Sequence, residues 1–331
     1  MKTIYCTDTT ALELMRVGAV PRPSDAAVLR MDSLKEPATS ARDIKALLAE
    51  SPILRALSKP LNILVPAASL RRSSKLIAAH AVPTALATLP VVSVDHTCKC
   101  VAPELLYAVM GRNLSAPERV KLAMELCGSY AMPAAHGNEA FTRYGLEPLT
   151  TTSAIKLFLD ERPKLYGGLP AQTALAYAAD RSASPMETAL YIMLCLPSDL
   201  GGYGLPKPTL NAKLDVASYL KDQRPSETVY GDLFFENCNV ILEYQSRMFH
   251  ESAIDQDEDR RDDIEAAGYT VMFVSPSRLQ DFKRFEALVL RLAHHMGIHP
   301  DTLTLGPTEQ RLALRKMLYP ASWTARDSLL V

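Results

Sequence analysis

The chain has no long unbroken apolar run, no excess of either charge, no zinc-type cysteine spacing, no internal repeat and no low-complexity tract. Each absence removes a class of function. The opening MKTIYCTDTTALELM lacks the continuous apolar stretch of a secretory signal. The most apolar region, LIAAHAVPTALATLPVVSV, is cut by Pro83 and Pro90 and carries His80, which excludes a membrane-spanning helix there. Thirty-six basic and 37 acidic side chains give a formal net charge of −1, so a polyanionic partner would have to be met by a local basic surface. The six cysteines, Cys6, Cys98, Cys100, Cys127, Cys195 and Cys238, are scattered and mostly sit among apolar neighbours. They read as buried free thiols of a reducing cytosol. Cys98-Lys99-Cys100 has no second Cys/His pair at metal spacing and so does not make a zinc knuckle. The expectation is a cytoplasmic protein with no membrane partner.

What is present is an ordinary globular composition, 48% hydrophobic with a mean hydropathy near zero, on a chain of 331 residues, long enough for two or three units. Residues 1–150 read as a mainly helical N-terminal region, a candidate DNA-binding or regulatory segment. RDIKALLAE reads as a helical piece, LNILVPA from Leu61 as a short strand, and PELLYAVMGRNLSAPERVKLAMELCGSYAM as two helices broken at 113–117, with Ser115 capping the second. Residues 151–181 read as a helical connector. At Ser182 the character changes: a helix with Pro185 and Glu187 in its first turn, a Gly/Pro loop into a strand, a hairpin over 231–245, a helix over about 255–267, a strand TVMFVS and a long helix over about 279–296. Residues 298–331 are read as a C-terminal extension. The order helix, strand, strand, strand, helix, strand, helix across 182–297 predicts an α/β domain, a mixed sheet flanked by helices.

The hairpin GDLFFENCNVILEYQSRMFHE holds the chemistry. Strand period puts Glu243 and Gln245 on one face of NVILEYQ, with Val240, Leu242 and Tyr244 on the other. Burying such polar groups without partners costs roughly 2 to 7 kcal/mol each, so they need a cation, a hydrogen-bond network or water. Asp232, eleven residues before Glu243, lies opposite to Leu233 and Phe235 and can reach the Glu243 face. Two close carboxylates repel unless one is protonated or a cation sits between them. Mg²⁺ takes one or two protein carboxylates and completes its shell with water and phosphate oxygens.

Asp232, then Glu243-Tyr244-Gln245 on the following strand, with Glu187 in the preceding helix, resembles the PD-(D/E)XK superfamily of restriction-endonuclease-like nucleases. EYQSRMFH followed by DEDRRDDIEAAGYTVMFVS resembles its Vsr-like branch, which contains very-short-patch repair endonucleases and a large uncharacterised bacterial family. Asp257, Arg260, Ile264 and Gly268 fall at the spacings of that branch's helix. The likeness covers 182–297. The N-terminal half is similar, more faintly, to proteins associated with abortive-infection antitoxins.

The resemblance implies a restriction-endonuclease-like C-terminal domain that hydrolyses DNA phosphodiesters with Mg²⁺ or Mn²⁺, in defence or DNA repair. Asp232 and Glu243 would be the metal ligands, Gln245 would orient the water or the ion, Glu187 would support the site, His250 is a further catalytic candidate, and Arg260 and Arg261 would face phosphate. The superfamily usually has Lys where this chain has Gln245. Glutamine holds a water through its carbonyl oxygen but accepts no proton at neutral pH. The alternative is a non-catalytic DNA-binding regulator of the toxin–antitoxin or abortive-infection type that retains the nuclease fold. Blander readings stand beside these: Glu187 as an ordinary first-turn acid, His294 and His295 as helix-end histidines favoured by the dipole, and LRRSSK and QRLALRK as solvent faces that would be the phosphate contacts if DNA is bound.

Overall fold

In the computed structural model the described residues are 2–21, 27–30, 37–134, 141–216, 229–245 and 261–319. The chain divides into two compact units, Met1–Asp180 and Arg181–Val331. Among the described residues no helix is long and apolar enough to cross a membrane.

The first unit runs β1 (Ile4–Cys6), α1 (Asp8–Arg16), β2 (Ala27–Arg30), α2 (Ala41–Glu50), α3 (Pro52–Ala56), β3 (Leu61–Val65), β4 (Ile77–Ala81), β5 (Thr88–Ser93), β6 (Cys98–Val101), α4 (Pro103–Met110), α5 (Ala116–Leu126), α6 (Thr152–Asp160) and α7 (Gly168–Leu175). A six-stranded mixed sheet, ordered β2-β5-β6-β1-β3-β4, stands where the sequence predicts a mainly helical region. β3 is the strand expected in LNILVPA; the other five escaped notice because they are three to six residues long, and two of them break strand rules: β5 holds Pro90 inside its run, and β4 is alanine-rich with His80. The apolar stretch that could not span a membrane forms these two strands. Between α4 and α5 the break expected at Ser115 is a full capping box, the Ser115 hydroxyl accepting from Glu118 N–H and the Glu118 carboxylate accepting from Ser115 N–H at 2.8 Å. Residues 151–180, predicted as a connector, pack within this unit, α6 against α4 and α7 against α5. All six cysteines are free and five are buried, with Cys6 and Cys98 sulfurs 3.5 Å apart in the core.

The second unit runs α8 (Pro185–Cys195), β7 (Thr209–Lys213), β8 (Tyr230–Phe235), β9 (Val240–Tyr244), α9 (described over 261–266), β10 (Thr270–Val274), α10 (Pro276–Gln280), α11 (Phe282–His295) and α12 (Thr308–Leu318). Its sheet is ordered β10-β9-β8-β7; β7, β8 and β9 are antiparallel neighbours and β10 runs parallel to β9. This is the α/β mixed sheet with helices that the element order predicts. Ser184 caps α8 by accepting from Glu187 N–H at 3.1 Å, and α8 packs against β8 and α12. Ile264 of α9 is buried against Leu214 and Ile241, a contact of roughly 1.5 to 3 kcal/mol. Gly268, at φ +89°, ends α9 in the left-handed conformation that a side chain would resist.

Two expectations are corrected here. The long helix predicted over 279–296 is two helices, because Asp281 Oδ1 accepts Arg284 N–H at 2.9 Å and starts α11 afresh. The basic face predicted for QRLALRK is a solvent face at Lys316 but not at its two arginines. Arg311 and Arg315 on α12 are 6% and 4% exposed. Arg311 pairs with Glu286 and lies over the Tyr203 and Phe282 rings; Arg315 donates to the Leu279 and Gln280 carbonyls and lies over Phe282, Phe285 and Tyr319.

Candidate active site

The carboxylates of the hairpin are set by register. β8 and β9 pair Phe235↔Val240, Phe234↔Ile241 and Leu233↔Leu242, and the ladder stops there. One step further in the same register, Asp232 stands across from Glu243. Across the other edge of β8, Leu210 pairs with Leu233 and Ala212 with Gly231, while Asn211, which faces Asp232 in that register, makes no pair. β10 continues the row with Phe273↔Glu243. A row of Asn211, Asp232, Glu243 and Phe273 therefore crosses the four strands, with the ladder interrupted on both sides of Asp232.

The local sequence explains the interruption. Asn211 has φ +47°, a left-handed conformation that asparagine tolerates and that breaks the β7 pairing. Gly231 lets the strands close beside the gap, since a Cβ there would meet Ile241 Cγ2 at 2.8 Å. Asp232 is half-buried, and its Oδ2 accepts the Tyr244 N–H at 2.9 Å, so a side chain takes part where the ladder stops. Glu243 is 8% exposed. Gln245 lies just past the end of β9; its N–H donates to Val274 O at 3.1 Å and its side chain is half-buried. By strand period it falls on the Glu243 side.

Glu187 lies on α8, one hydrogen bond away from the row through Asn211. It is buried in the first turn of α8, and its Oε2 accepts from Ala183 N–H at 2.8 Å and from Asn211 Nδ2 at 2.7 Å. Asn211 Nδ2 also donates to Arg181 O at 2.8 Å. Burial pushes the Glu187 carboxyl up from its ordinary value, and these donors oppose that rise without cancelling it. Its partners make it the anchor of Asn211, hence of β7 beside Asp232. Asn211 is the residue that sequence reasoning missed; its one signal was an asparagine inside the strand TLNAK.

Arg261, predicted to face phosphate, bonds Glu265 one helical turn on at 2.8 Å and lies over the Phe273 ring. It is thus beside the row but engaged. His250, Asp257 and Arg260 lie outside the described residues. His294 and His295 are exposed at the end of α11.

Among the described residues no group of three His, Cys, Asp or Glu side chains converges as a metal cage. What could hold an ion is the pair Asp232 and Glu243, with Gln245 at the strand end. These are hard oxygen donors, and two carboxylates match the one or two that Mg²⁺ takes from protein. No protein-family model, curated protein or solved structure matches the chain.

Proposed function

We propose that the second unit is a metal-dependent DNA endonuclease domain of the restriction-endonuclease-like type. The observation that carries the reading is the row in which Asp232 and Glu243 face each other where the β8–β9 ladder stops. The order helix, three antiparallel strands, helix, parallel strand supports it, since the Vsr-like resemblance rests on those elements in that sequence.

In this reading Asp232 and Glu243 bind the ion, and the Tyr244 N–H bond to Asp232 Oδ2 fixes the carboxylate's orientation before substrate arrives. Bound Mg²⁺ or Mn²⁺ would polarise the phosphodiester and acidify a water. The Gln245 amide oxygen would hold that water but take no proton. The proton falls to Glu243, to His250 or to a substrate phosphate oxygen. Glu187 acts at one remove, through Asn211.

A second reading, a DNA-binding regulator that keeps the fold without hydrolysis, is favoured by Gln245 standing where the resembled family has Lys. One experiment separates them: purified full-length protein with supercoiled, linear, mismatched and single-stranded DNA in Mg²⁺, Mn²⁺ or EDTA, beside Asp232→Ala. Hydrolysis predicts cleavage that needs the ion and falls more than about 100-fold in the variant, because even outer-shell partners of metal ligands are typically worth 10- to 100-fold. No cleavage of any substrate, with DNA binding unchanged by Asp232→Ala, would replace the nuclease by the regulator.

A further inference from the structure

Helix α11 divides cleanly by burial. Phe285, Leu288, Val289, Leu292 and Ala293 face inward. The exposed positions are Lys283, Arg284, Ala287, Arg291, His294 and His295, with no acid among them. The sole acid of the helix, Glu286, is half-buried and taken by Arg311. Asp281, just before it, is used as the N-cap. Arg278 of α10 extends the same surface: burial pulls its guanidinium down from its ordinary value, and Arg291 and Arg284 pull it down further, so Arg278 lies in the field of both. Among the described residues, Arg278, Lys283, Arg284 and Arg291 form no ion pair, whereas Arg16, Arg162, Arg261 and Arg311 all do.

Helix stability does not account for this arrangement. Lys283 and Arg284 occupy the first turn, at the positive end of the helix dipole, where cations are unfavourable and acids would be expected. On a chain of net charge −1, an exposed α11 face without an acid, bordered by Asp281 alone at its start, is a segregated feature. Its position ties it to the site: Arg278 Nη1 donates to the Phe273 carbonyl at 2.8 Å, and Phe273 is the strand partner of Glu243. From Lys283 to His295 the stripe runs about 18 Å, at 1.5 Å per residue, or roughly five base steps of 3.4 Å.

We infer that the outward face of α11, with Arg278, Lys283, Arg284 and Arg291, binds the phosphate backbone of the DNA duplex on which Asp232 and Glu243 act. The identity of the polyanion rests on the nuclease reading; the surface itself does not. The guanidiniums of Arg284 and Arg291, two helical turns apart, would displace condensed counterions from neighbouring phosphates, which makes the contact sensitive to salt.

The test is a fluorescence-polarisation titration of full-length protein with labelled duplex in EDTA, where no cleavage can occur, between about 50 and 200 mM salt. Wild type is compared with Arg284→Ala/Arg291→Ala and with Arg71→Ala/Arg72→Ala, the rival basic pair exposed in the first unit. The α11 double variant should bind about ten-fold or more weakly and lose close to two units of the log–log salt slope, with an unchanged melting curve. Wild-type affinity and slope in that variant, a larger loss in the Arg71/Arg72 variant, or no duplex binding by wild type would each overturn the inference. Because binding is read without the ion, a protein that binds through α11 yet never cleaves removes the hydrolysis and leaves this surface standing.

Discussion

Helices α11 and α12 of the second unit each present a pair of arginines spaced along the helix, and the fold treats the two pairs in opposite ways. Arg311 and Arg315 on α12 are buried, one paired with Glu286, the other set on two main-chain carbonyls and three rings. Arg284 and Arg291 on α11 are exposed and in no ion pair among the described residues. The α12 cations are held inside the fold by an acid, carbonyls and rings; Arg284 and Arg291 stay at the surface, Arg291 with an Nε bond to the Ala287 carbonyl one turn back at 3.2 Å. The acids differ in setting: Glu187 accepts from Ala183 N–H and Asn211 in the first turn of a helix, while Asp232, which accepts from Tyr244 N–H, stands across from Glu243 where the ladder stops.

The sharpest way to break this comparison is to exchange arginine for alanine on both helices and read stability. Arg311→Ala leaves half-buried Glu286 without its cation and removes the guanidinium packed on Tyr203 and Phe282, a loss of about 3 kcal/mol, the low end for breaking a buried pair because Glu286 keeps some solvent. Urea unfolding of the variant should show that loss, with Tm down by roughly 10 °C. Arg284→Ala and Arg291→Ala should each stay within about 0.5 kcal/mol of wild type. Equal stability losses on the two helices would erase the distinction.

A smaller effect is expected at Asn211. Asn211→Ala removes two hydrogen bonds and leaves in the left-handed region a residue that tolerates it less well than asparagine, for a loss of about 2 kcal/mol. Asn211→Gly removes the same bonds but keeps the conformation, and should recover about 1 kcal/mol of it. If glycine is no better than alanine in thermal melts, the backbone conformation beside Asp232 is not what asparagine supplies.

The smallest effect concerns pH. The folded Glu187 carboxyl is raised above its ordinary 4.5, mainly by burial, so the fold favours the protonated form. The stability it contributes is fully present below 4.5 and fades as pH rises through the raised folded value. Glu187→Gln, neutral throughout, should therefore lose less Tm than wild type as pH rises through that window. A wild-type and variant pair with parallel pH profiles would show that Glu187 titrates normally.

The site's legibility follows the same division. The hairpin was readable because Asp232, Glu243 and Gln245 are polar residues inside an apolar alternation, and period two fixes which of them share a face. Asn211 was not, because its role comes from a register between strands some twenty residues apart and from a positive φ that no local pattern announces. The first unit's sheet was hidden for a related reason: strands of three to six residues carry too few alternations to register as period two, and Pro90 and the alanines of β4 argue locally against them. QRLALRK misled for the opposite reason, since its spacing suits an exposed face and only Glu286 and the ring cluster, distant in sequence, make burial of two guanidiniums tolerable.

The sequence by itself determined what local forces decide: the caps at Ser115 and Ser184, the element order of the second unit, and the placing of two carboxylates on one hairpin. Tertiary structure decided what depends on partners far along the chain: the six-stranded sheet, the anchoring of Asn211 by Glu187, and which arginines are spent on the fold. A cap or a strand face is fixed by neighbours a few residues away, whereas the fate of a buried charge depends on a counter-charge whose position exists only after the chain has folded.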